Sequence, residues 1–195
     1  FLSKCPEVAS VKYSNRGQSG CTTVDYLPDT NTLFPWVVRA ADKFKDETWA
    51  DLVFSIMLGT NDSAIEGTNG CPVTPERYYE NMKTIINRLL ALYPNCRIVV
   101  HRPLWYSPNT YNGAKYLEEG LRRQIQRLVD YYASHFPGQV FLGDTKGFDY
   151  FKENHLTDFQ AEKGNAGVFY LHPNEKGAVR LGELWSEAIR QALGL

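Results

Sequence analysis

The 195-residue sequence lacks the features that would assign it to a membrane-spanning, metal-binding or nucleic-acid-binding class. No apolar run is long enough to cross a bilayer, so the sequence predicts no transmembrane helix. Its four cysteines are widely spaced and form no C-x-x-C pair, which argues against a zinc site or a redox dithiol. Lysine and arginine number 21 against 22 aspartates and glutamates, so the net charge of −1 indicates neither a nucleic-acid nor an anionic-membrane partner.

The chain also contains no low-complexity segment, internal repeat or recognisable signal peptide. With 43% apolar and 22% charged residues its composition is that of a globular protein, and its length fits one domain over residues 1–195. Short apolar runs alternate with amphipathic segments. Strands are predicted at 10–14, 50–58, 97–101 and 139–143, and helices at 75–92, 117–136 and 175–193.

This alternation predicts an α/β fold, a parallel sheet covered by helices on both faces. In such sheets ligands bind just beyond the carboxyl ends of the strands. One such place follows the apolar run 52–58, where the chain breaks into Gly59-Thr60-Asn61-Asp62. The glycine permits an unusual turn, and the Asn61 amide can donate a hydrogen bond into a cleft.

Two further segments have the composition of loops that line a site. Residues 15–20, Asn-Arg-Gly-Gln-Ser-Gly, form a glycine-rich exit from the first predicted strand, where main-chain N–H groups can approach a ligand. His172 lies between a glycine-containing loop and the last predicted helix, and histidine is the usual general base near neutral pH. An isolated histidine is more often structural, so the residue types alone leave both interpretations open.

The three segments together resemble the sequence blocks of the SGNH, or GDSL-type, hydrolases. Residues 15–20 followed by Cys-Thr-Thr resemble the second block, residues 59–62 the third, and the motif His-Pro-Asn-x-x-Gly from His172 the fifth. Their order and spacing fit over nearly the whole chain. The resemblance implies a three-layer α/β/α fold with a flavodoxin-like parallel sheet of about five strands, and ester hydrolysis that needs no metal or cofactor.

The same resemblance implies roles for individual residues. Ester hydrolysis requires a nucleophile, a base that takes its proton, and donors aimed at the tetrahedral oxyanion. By analogy with the family's blocks, His172 is the catalytic base. The N–H of Gly20 and the side-chain amide of Asn61 are two donors of the oxyanion hole, and the nucleophile's own N–H is the third.

The sequence departs from the family at the nucleophile. The first block, Gly-Asp-Ser with the nucleophilic serine, is absent, and in this fold it also supplies the central strand of the sheet. The expectation is that these residues omit an N-terminal piece with the strand and the serine, or that another segment supplies the strand. Within the chain, Ser19 nearly forms a G-x-S-x-G elbow and Ser63 adjoins the Asn-Asp pair, so both are alternative nucleophiles.

A second departure concerns the acid that orients the base. The family's acid usually lies three residues before the histidine, and that position here is Phe169. His172 is then oriented by a backbone carbonyl or by a carboxylate from the preceding loop. Asp158 and Glu162 are the candidate carboxylates, and the sequence does not rank them.

The predicted substrate is a short acyl ester, acetyl above all, on a saccharide. Arg102, Trp105 and Tyr106 follow the strand at 97–101, and an aromatic face with nearby donors suits a sugar. Relatives in the family often remove acetyl groups from carbohydrates, and these loops show neither a broad aliphatic groove nor an amphipathic lid. The alternative interpretation is that Trp105 and Tyr106 only pack the loop.

The same sequence blocks leave other functions open. A non-catalytic relative that binds a glycan, or a lysophospholipase- or thioesterase-type lipolytic enzyme, would share these blocks. A flavodoxin-like nucleotide or signalling domain would need a phosphate loop or an acidic pocket, which the sequence lacks.

Cys21 and Cys71 lie in loops expected at the same end of the sheet, so we predict that they pair. Such a disulfide would indicate a periplasmic or secreted protein.

Overall fold

A computed structural model of the chain describes residues 1–47, 49–65, 67, 69–110 and 112–195. Its centre is a parallel sheet in the order β1-β2-β3, with helices packed around it, so the predicted three-layer α/β/α class is confirmed. The predicted strands at 50–58, 97–101 and 139–143 are confirmed within shorter bounds. They are β1 (Val53–Ile56), β2 (Arg97–Val100) and β3 (Val140–Leu142).

The helices follow the strands in the expected alternation. They are α1 (Phe34–Ala41), α2 (Pro75–Leu92), α3 (Ala114–Tyr116), α4 (Arg122–His135), α5 (Gly147–Asp158) and α6 (Glu175–Leu193). A π-helical turn, Leu117–Leu121, joins α3 to α4, and 3-10 turns cover Leu2–Lys4, Pro28–Thr30 and Asn61–Ser63. An antiparallel hairpin, β4 (Glu162–Gly164) and β5 (Gly167–Phe169), lies between α5 and α6. Within the described residues, no helix combines the length and apolarity needed to cross a membrane.

Helix α2 shows how the sequence sets an element. The Thr74 side chain accepts a hydrogen bond from the N–H of Arg77, and Pro75 occupies the first turn, where its missing N–H costs nothing. The helix ends at Leu92, and its C-cap Tyr93 directly precedes Pro94. Apolar residues at helical spacing then face the sheet and are buried: Tyr78, Met82, Ile85, Ile86 and Leu89.

The core lies between the sheet and the layer formed by α2 and α4. Strand β2 is its centre, because Ile98, Val99 and Val100 are completely buried. A second, smaller cluster lies between the segment after β2 and α5, and consists of Leu104, Trp105, Phe148, Phe151 and Phe159. These two clusters fix the carboxyl ends of the strands, from which the loops of the candidate site start.

The predicted strand at 10–14 is wrong. Residues 10–18 form no regular secondary structure, and Val11 and Tyr13 are 41% and 86% exposed. A strand needs hydrogen-bonding neighbours, and the described residues offer this segment none. For the same reason the sheet has three strands rather than about five, and the outer edge of β1 carries no strand in the described chain.

Candidate active site

The turn that follows β1 is joined to the glycine-rich loop. The Asn61 side-chain nitrogen donates a hydrogen bond to the main-chain oxygen of Cys21 at 3.0 Å. Gly20, the residue before Cys21, has φ = 76°, a backbone conformation that favours glycine. Its N–H has no hydrogen-bond acceptor among the described residues, so it can serve an incoming ligand. The structure therefore brings the two predicted oxyanion donors onto adjacent backbone segments.

A buried carboxylate strengthens this junction. Both side-chain oxygens of Asp62 accept from the N–H of Thr23, at 3.0 and 3.1 Å, and the Thr23 hydroxyl also donates to Asp62. The side-chain nitrogen of Asn81, on α2, donates to that hydroxyl oxygen at 2.9 Å. Asp62 and Thr23 are completely buried. Burial raises the pKa of the Asp62 carboxyl to about 6, although the hydrogen bonds from Thr23 oppose that rise.

The second part of the site is a histidine–carboxylate pair. The Nδ1 atom of His172 lies 2.9 Å from Glu162 Oε1 and 3.0 Å from Glu162 Oε2, and the His172 main-chain N–H donates to the same carboxylate at 3.3 Å. Because an ionised carboxylate only accepts, Nδ1 carries the proton and Nε2 is left as the basic nitrogen. The His172 side chain is 57% exposed, and Nε2 has no partner among the described residues.

Strand pairing explains how Glu162 reaches the histidine. In the β4–β5 hairpin Glu162 is the direct partner of Phe169, the position three residues before the base. The carboxylate that the family pattern places on one strand is thus supplied by the facing strand. The loop itself is fixed by a hydrogen bond of 2.9 Å from the N–H of Gln160 to the carbonyl oxygen of His172.

Asp158, the other candidate acid, has different partners. It is completely buried and accepts hydrogen bonds of 2.7 Å each from Lys176, Thr157 and Tyr150. Burial alone would raise the pKa of the Asp158 carboxyl, but these hydrogen bonds outweigh it and the pKa lies below its usual range. Asp158 therefore secures the start of α6, while Glu162 contacts His172.

Hydrogen bonds link the two parts of the site across the ends of β1 and β2. The Ser63 hydroxyl, in the turn after β1, lies 2.8 Å from the hydroxyl of Tyr106, in the segment after β2. Next to it, Ser107 N–H donates to the Tyr170 carbonyl at 2.9 Å, and Tyr170 N–H donates to the Ser107 hydroxyl at 2.8 Å. Tyr170 lies two residues before His172, so these bonds set the base relative to the Asn61 turn.

The contacts of the predicted substrate-binding trio, Arg102, Trp105 and Tyr106, differ from one residue to the next. Tyr106 is 1% exposed and joins the two loops, so its ring has no face free for a sugar. Trp105 is 8% exposed and packs on the rings of His155 and Phe159. Arg102 is half-buried and directs Nη2 toward Gln126 on α4, at 3.5 Å. The interpretation of Trp105 and Tyr106 as loop packing fits this structure, because the second core cluster needs their apolar surface.

Among the residues that the structure describes, one exposed serine, Ser55, lies beside a histidine, and the two do not form a catalytic pair. The Ser55 hydroxyl lies 2.9 Å from His101 Nε2, but His101 Nδ1 accepts the main-chain N–H of Asp144 at 2.9 Å. Nε2 must then carry the proton and cannot take one from serine. Burial, with the Trp185 ring stacked at 4.4 Å, lowers the pKa of His101 to about 3. His101 is a neutral structural residue.

Neither serine considered from the sequence is placed as a nucleophile. The Ser63 hydroxyl is completely buried and bonds the carbonyl of Thr60 at 2.7 Å as well as Tyr106. Ser19 lies in the exposed loop, and its hydroxyl bonds no histidine in the described part of the chain. Of the two alternative nucleophiles, Ser63 is thus too buried to reach an ester, and Ser19 has no supporting contact.

The predicted disulfide between Cys21 and Cys71 is not formed, because both thiols are free. The two loops do meet, but the contact is a hydrogen bond of 2.7 Å from the Thr22 hydroxyl to the Asn69 carbonyl oxygen. Burial raises the pKa of the Cys21 thiol, which favours its neutral form. In the residues the structure describes, no group of three or more histidine, cysteine, aspartate or glutamate side chains could hold a metal ion.

Comparison with known proteins now decides the family. The sequence model of the GDSL-like Lipase/Acylhydrolase family matches residues 4–180. The chain belongs to this family. The glycine-rich loop, the Asn61 turn and the His172 loop all lie within the matched range, so the resemblance to GDSL-type hydrolases is confirmed. No curated protein sequence is similar enough to count as a match.

Solved structures share the GDSL fold at low identity. A carbohydrate esterase family 3 from Talaromyces cellulolyticus is 19% identical with a TM-score of 0.57, over 92% of this chain and 72% of that one. A possible lipase from Chitinophaga pinensis DSM 2588 is 18% identical, also with a TM-score of 0.57, over 94% of this chain and 84% of that one. These similarities establish the fold.

Proposed function

We propose that this GDSL-family protein is a carboxylester hydrolase that removes short acyl groups, above all acetyl, from a carbohydrate. The observation that carries the proposal is the His172–Glu162 pair, in which the carboxylate holds Nδ1 and leaves Nε2 without a partner among the described residues, on a side chain that is 57% exposed. That is the arrangement a general base needs, with a proton acceptor facing solvent and a counter-charge behind it. Gly20 and Asn61, on the adjoining segments, are the proposed oxyanion donors.

The proposed reaction follows from these positions. His172 Nε2 takes the hydroxyl proton of the nucleophile as its oxygen attacks the ester carbonyl, and Glu162 stabilises the imidazolium that forms. The Gly20 N–H, the Asn61 amide and the nucleophile's own N–H stabilise the tetrahedral oxyanion. His172 then gives its proton to the departing sugar oxygen. Water, activated by the same nitrogen, hydrolyses the acyl-enzyme.

We propose that the nucleophile is a serine upstream of Phe1, on a strand that pairs with the outer edge of β1. The main-chain oxygens of Leu52 and Ile56 accept from the N–H groups of Arg97 and His101, at the two ends of β2, so the main-chain groups of Val53 and Ser55 point the other way. In the described residues no strand meets them. A parallel strand there would end beside the Asn61 turn, where the nucleophile is needed.

The substrate class is the finer part of the proposal. A similar fold belongs to a protein described as a carbohydrate esterase. The segment at 102–109 has no sequence typical of an amphipathic lid. The test is a series of para-nitrophenyl esters of increasing acyl length, assayed with acetylated xylan or mannan. We expect the highest kcat/KM for acetate and release of acetate from a glycan. Activity that rises toward octanoate, with no acetate released, would favour a lipid or thioester substrate.

The second candidate function is glycan binding without catalysis. It is favoured by one observation, that no serine hydroxyl in the described part of the chain contacts His172. Turnover of para-nitrophenyl acetate by the full-length protein, abolished in His172→Ala, separates the two functions. A full-length protein that binds acetylated glycan but releases no acetate would establish the binding function instead.

A further inference from the structure

The Asp62 carboxylate has no part in the proposed reaction, yet it is among the most heavily bonded groups next to the site. It accepts hydrogen bonds from both the N–H and the hydroxyl of Thr23, and the side-chain nitrogen of Asn81, on α2, donates a hydrogen bond to the same hydroxyl oxygen. All three residues are at most 2% exposed. Asp62 directly follows Asn61, and Thr23 lies three residues after Gly20. The carboxylate therefore connects the backbone segments that carry the two proposed donors.

We propose that Asp62 is a positioning residue for the oxyanion hole: acting through Thr23, it holds the Gly20 segment against the Asn61 turn. This inference rests on the proposed esterase function. Asp62 touches neither substrate nor reacting atoms, so its effect is on geometry.

The Gly20 segment needs such an anchor because it is not part of a described helix or strand. Residues 10–18 before it are exposed and belong to no strand or helix. Other hydrogen bonds of this segment are the Asn61–Cys21 bond, the Thr22–Asn69 bond to an exposed loop, and those of the Tyr26 hydroxyl with the Gln18 N–H and the Arg16 carbonyl. The Tyr26 bonds hold residues before Gly20 rather than Thr23. The Asp62–Thr23 bonds are shielded from water, where hydrogen bonds are stronger. Through Asn81 they extend to α2, an element of the main core.

Catalysis is sensitive to this kind of support. An oxyanion donor contributes only when it lies at hydrogen-bond distance from the position of the oxyanion, and a misplacement of about 1 Å can cost about 100-fold in rate. If the Gly20 segment shifts, the N–H of Gly20 leaves that position while the Asn61 turn and the His172 loop stay in place. Loss of the anchor should then lower kcat and leave KM nearly unchanged.

The experiment compares four variants of the full-length protein on para-nitrophenyl acetate. Thr23→Val removes the hydroxyl at nearly constant volume, Asp62→Ala removes the acceptor, and Thr23→Ser keeps the hydroxyl. Tyr132→Phe is the matched control, because it deletes a completely buried hydroxyl, bonded to Asn87 at 2.6 Å, between α2 and α4. We expect kcat to fall about 10- to 100-fold in Thr23→Val and Asp62→Ala, with KM within about threefold. Thr23→Ser and Tyr132→Phe should keep kcat within about threefold of the wild type.

Amide hydrogen exchange on the same proteins gives a readout that does not depend on activity. We expect exchange at Cys21 and Thr22, whose N–H groups donate to the Gln18 carbonyl and to Asp25, to accelerate at least about tenfold in Thr23→Val, with no change in Tyr132→Phe. An active enzyme in which both Thr23→Val and Asp62→Ala retain normal kcat overturns the positioning role. If the wild type hydrolyses no ester, the proposed function fails, and unchanged exchange in Thr23→Val would then overturn the anchoring role separately.

Discussion

At the scale of single residues, the orientation of His172 is decided by one carboxylate. Glu162 lies ten positions earlier in the chain, but the β4–β5 hairpin pairs it with Phe169 and so returns it to the histidine. The carboxylate–imidazole contact is thus kept although the usual acid position holds a phenylalanine. The carboxylate partner that the proposed chemistry needs is supplied by pairing across the hairpin instead of by position along the chain.

We predict that Glu162→Gln lowers kcat/KM on para-nitrophenyl acetate by about 100- to 10,000-fold in the full-length protein. A glutamine can donate to Nδ1 and so stabilise the wrong tautomer of His172, in which Nε2 carries the proton. Asp158→Asn is the matched control, since Asp158 binds Lys176, Thr157 and Tyr150 and makes no contact with His172. It should lower the stability and, because the start of α6 adjoins the His172 loop, kcat/KM by less than about tenfold, well short of the loss in Glu162→Gln. Equal losses in both variants would contradict the assignment of the acid.

A second residue-scale prediction concerns the pH dependence of stability. The pKa of Asp62 is raised from 3.8 to about 6 by burial. At a pH between these two values, the Asp62 carboxyl holds a proton in the folded protein that it has lost in the unfolded chain. The Asp62 side chain therefore lowers the free energy of unfolding of the wild type as pH rises through this range. Asp62→Asn removes this effect. Relative to the wild type, the variant should gain at most about 1.4 kcal/mol of unfolding free energy per pH unit from pH 4 to 6, and nothing further above it.

Urea unfolding of both proteins at pH 4, 5, 6 and 7 measures this difference. Asp158→Asn again supplies the control. The pKa of Asp158 is lowered, so its contribution to stability is lost only below 3.8, and its difference from the wild type should be flat over the same range. A flat difference for Asp62→Asn as well would show that the Asp62 carboxyl titrates normally.

At the scale of elements, the His172 loop is set by the contact between the end of α5 and the start of α6. Asn174 caps α6 by accepting the N–H of Gly177 at 3.0 Å, and its own N–H donates to the carbonyl oxygen of Asp158 at 2.9 Å. A Cβ on Gly177 would lie 2.0 Å from that carbonyl oxygen. The glycine of the His-Pro-Asn-x-x-Gly motif is therefore required for close packing of the two helices.

We predict that Gly177→Ala destabilises the protein by about 2–3 kcal/mol and reduces esterase activity, because α6 must move away from α5 and carry the His172 loop with it. Gly182→Ala, on the same helix, is the control. Its Cβ would meet only the ring of Phe1, a 46% exposed terminal residue that can move, and alanine favours the helix by up to about 1 kcal/mol. Thermal unfolding of both variants gives the measurement. A Gly177→Ala protein as stable as Gly182→Ala would show that α5 and α6 are not held this closely.

At the scale of the whole molecule, the open edge of β1 is the feature that the proposed nucleophile strand explains. We predict slow amide exchange at Val53 and Ser55 in the full-length protein, because a pairing strand would accept their N–H groups. The N–H of Leu142, which points away from β2 at the opposite edge of the sheet, serves as the control and should exchange fast. Equally fast exchange at all three positions would show that no strand covers β1.

Much of this architecture was predictable from the sequence because it depends on local patterns. The apolar runs gave β1, β2 and β3, and the Thr74-Pro75 start and the helical periodicity gave α2. Glycine and asparagine at 59–62, the glycine-rich loop and the His172 motif located the two parts of the candidate site. Such signals are readable because each depends on neighbours a few residues away.

The structure alone decided what depends on distant partners. A strand at 10–14 had the right alternation but no neighbour to pair with, so it did not form. Trp105 and Tyr106 are residue types that often bind sugars. In the structure, Trp105 instead packs on aromatic rings of and next to α5, and Tyr106 forms a hydrogen bond with the Ser63 hydroxyl. Only the hairpin register, which pairs Glu162 with Phe169, distinguished Glu162 from Asp158 as the carboxylate that contacts His172. Hydrogen bonding and burial between segments far apart in sequence, rather than residue type, fixed each of these outcomes.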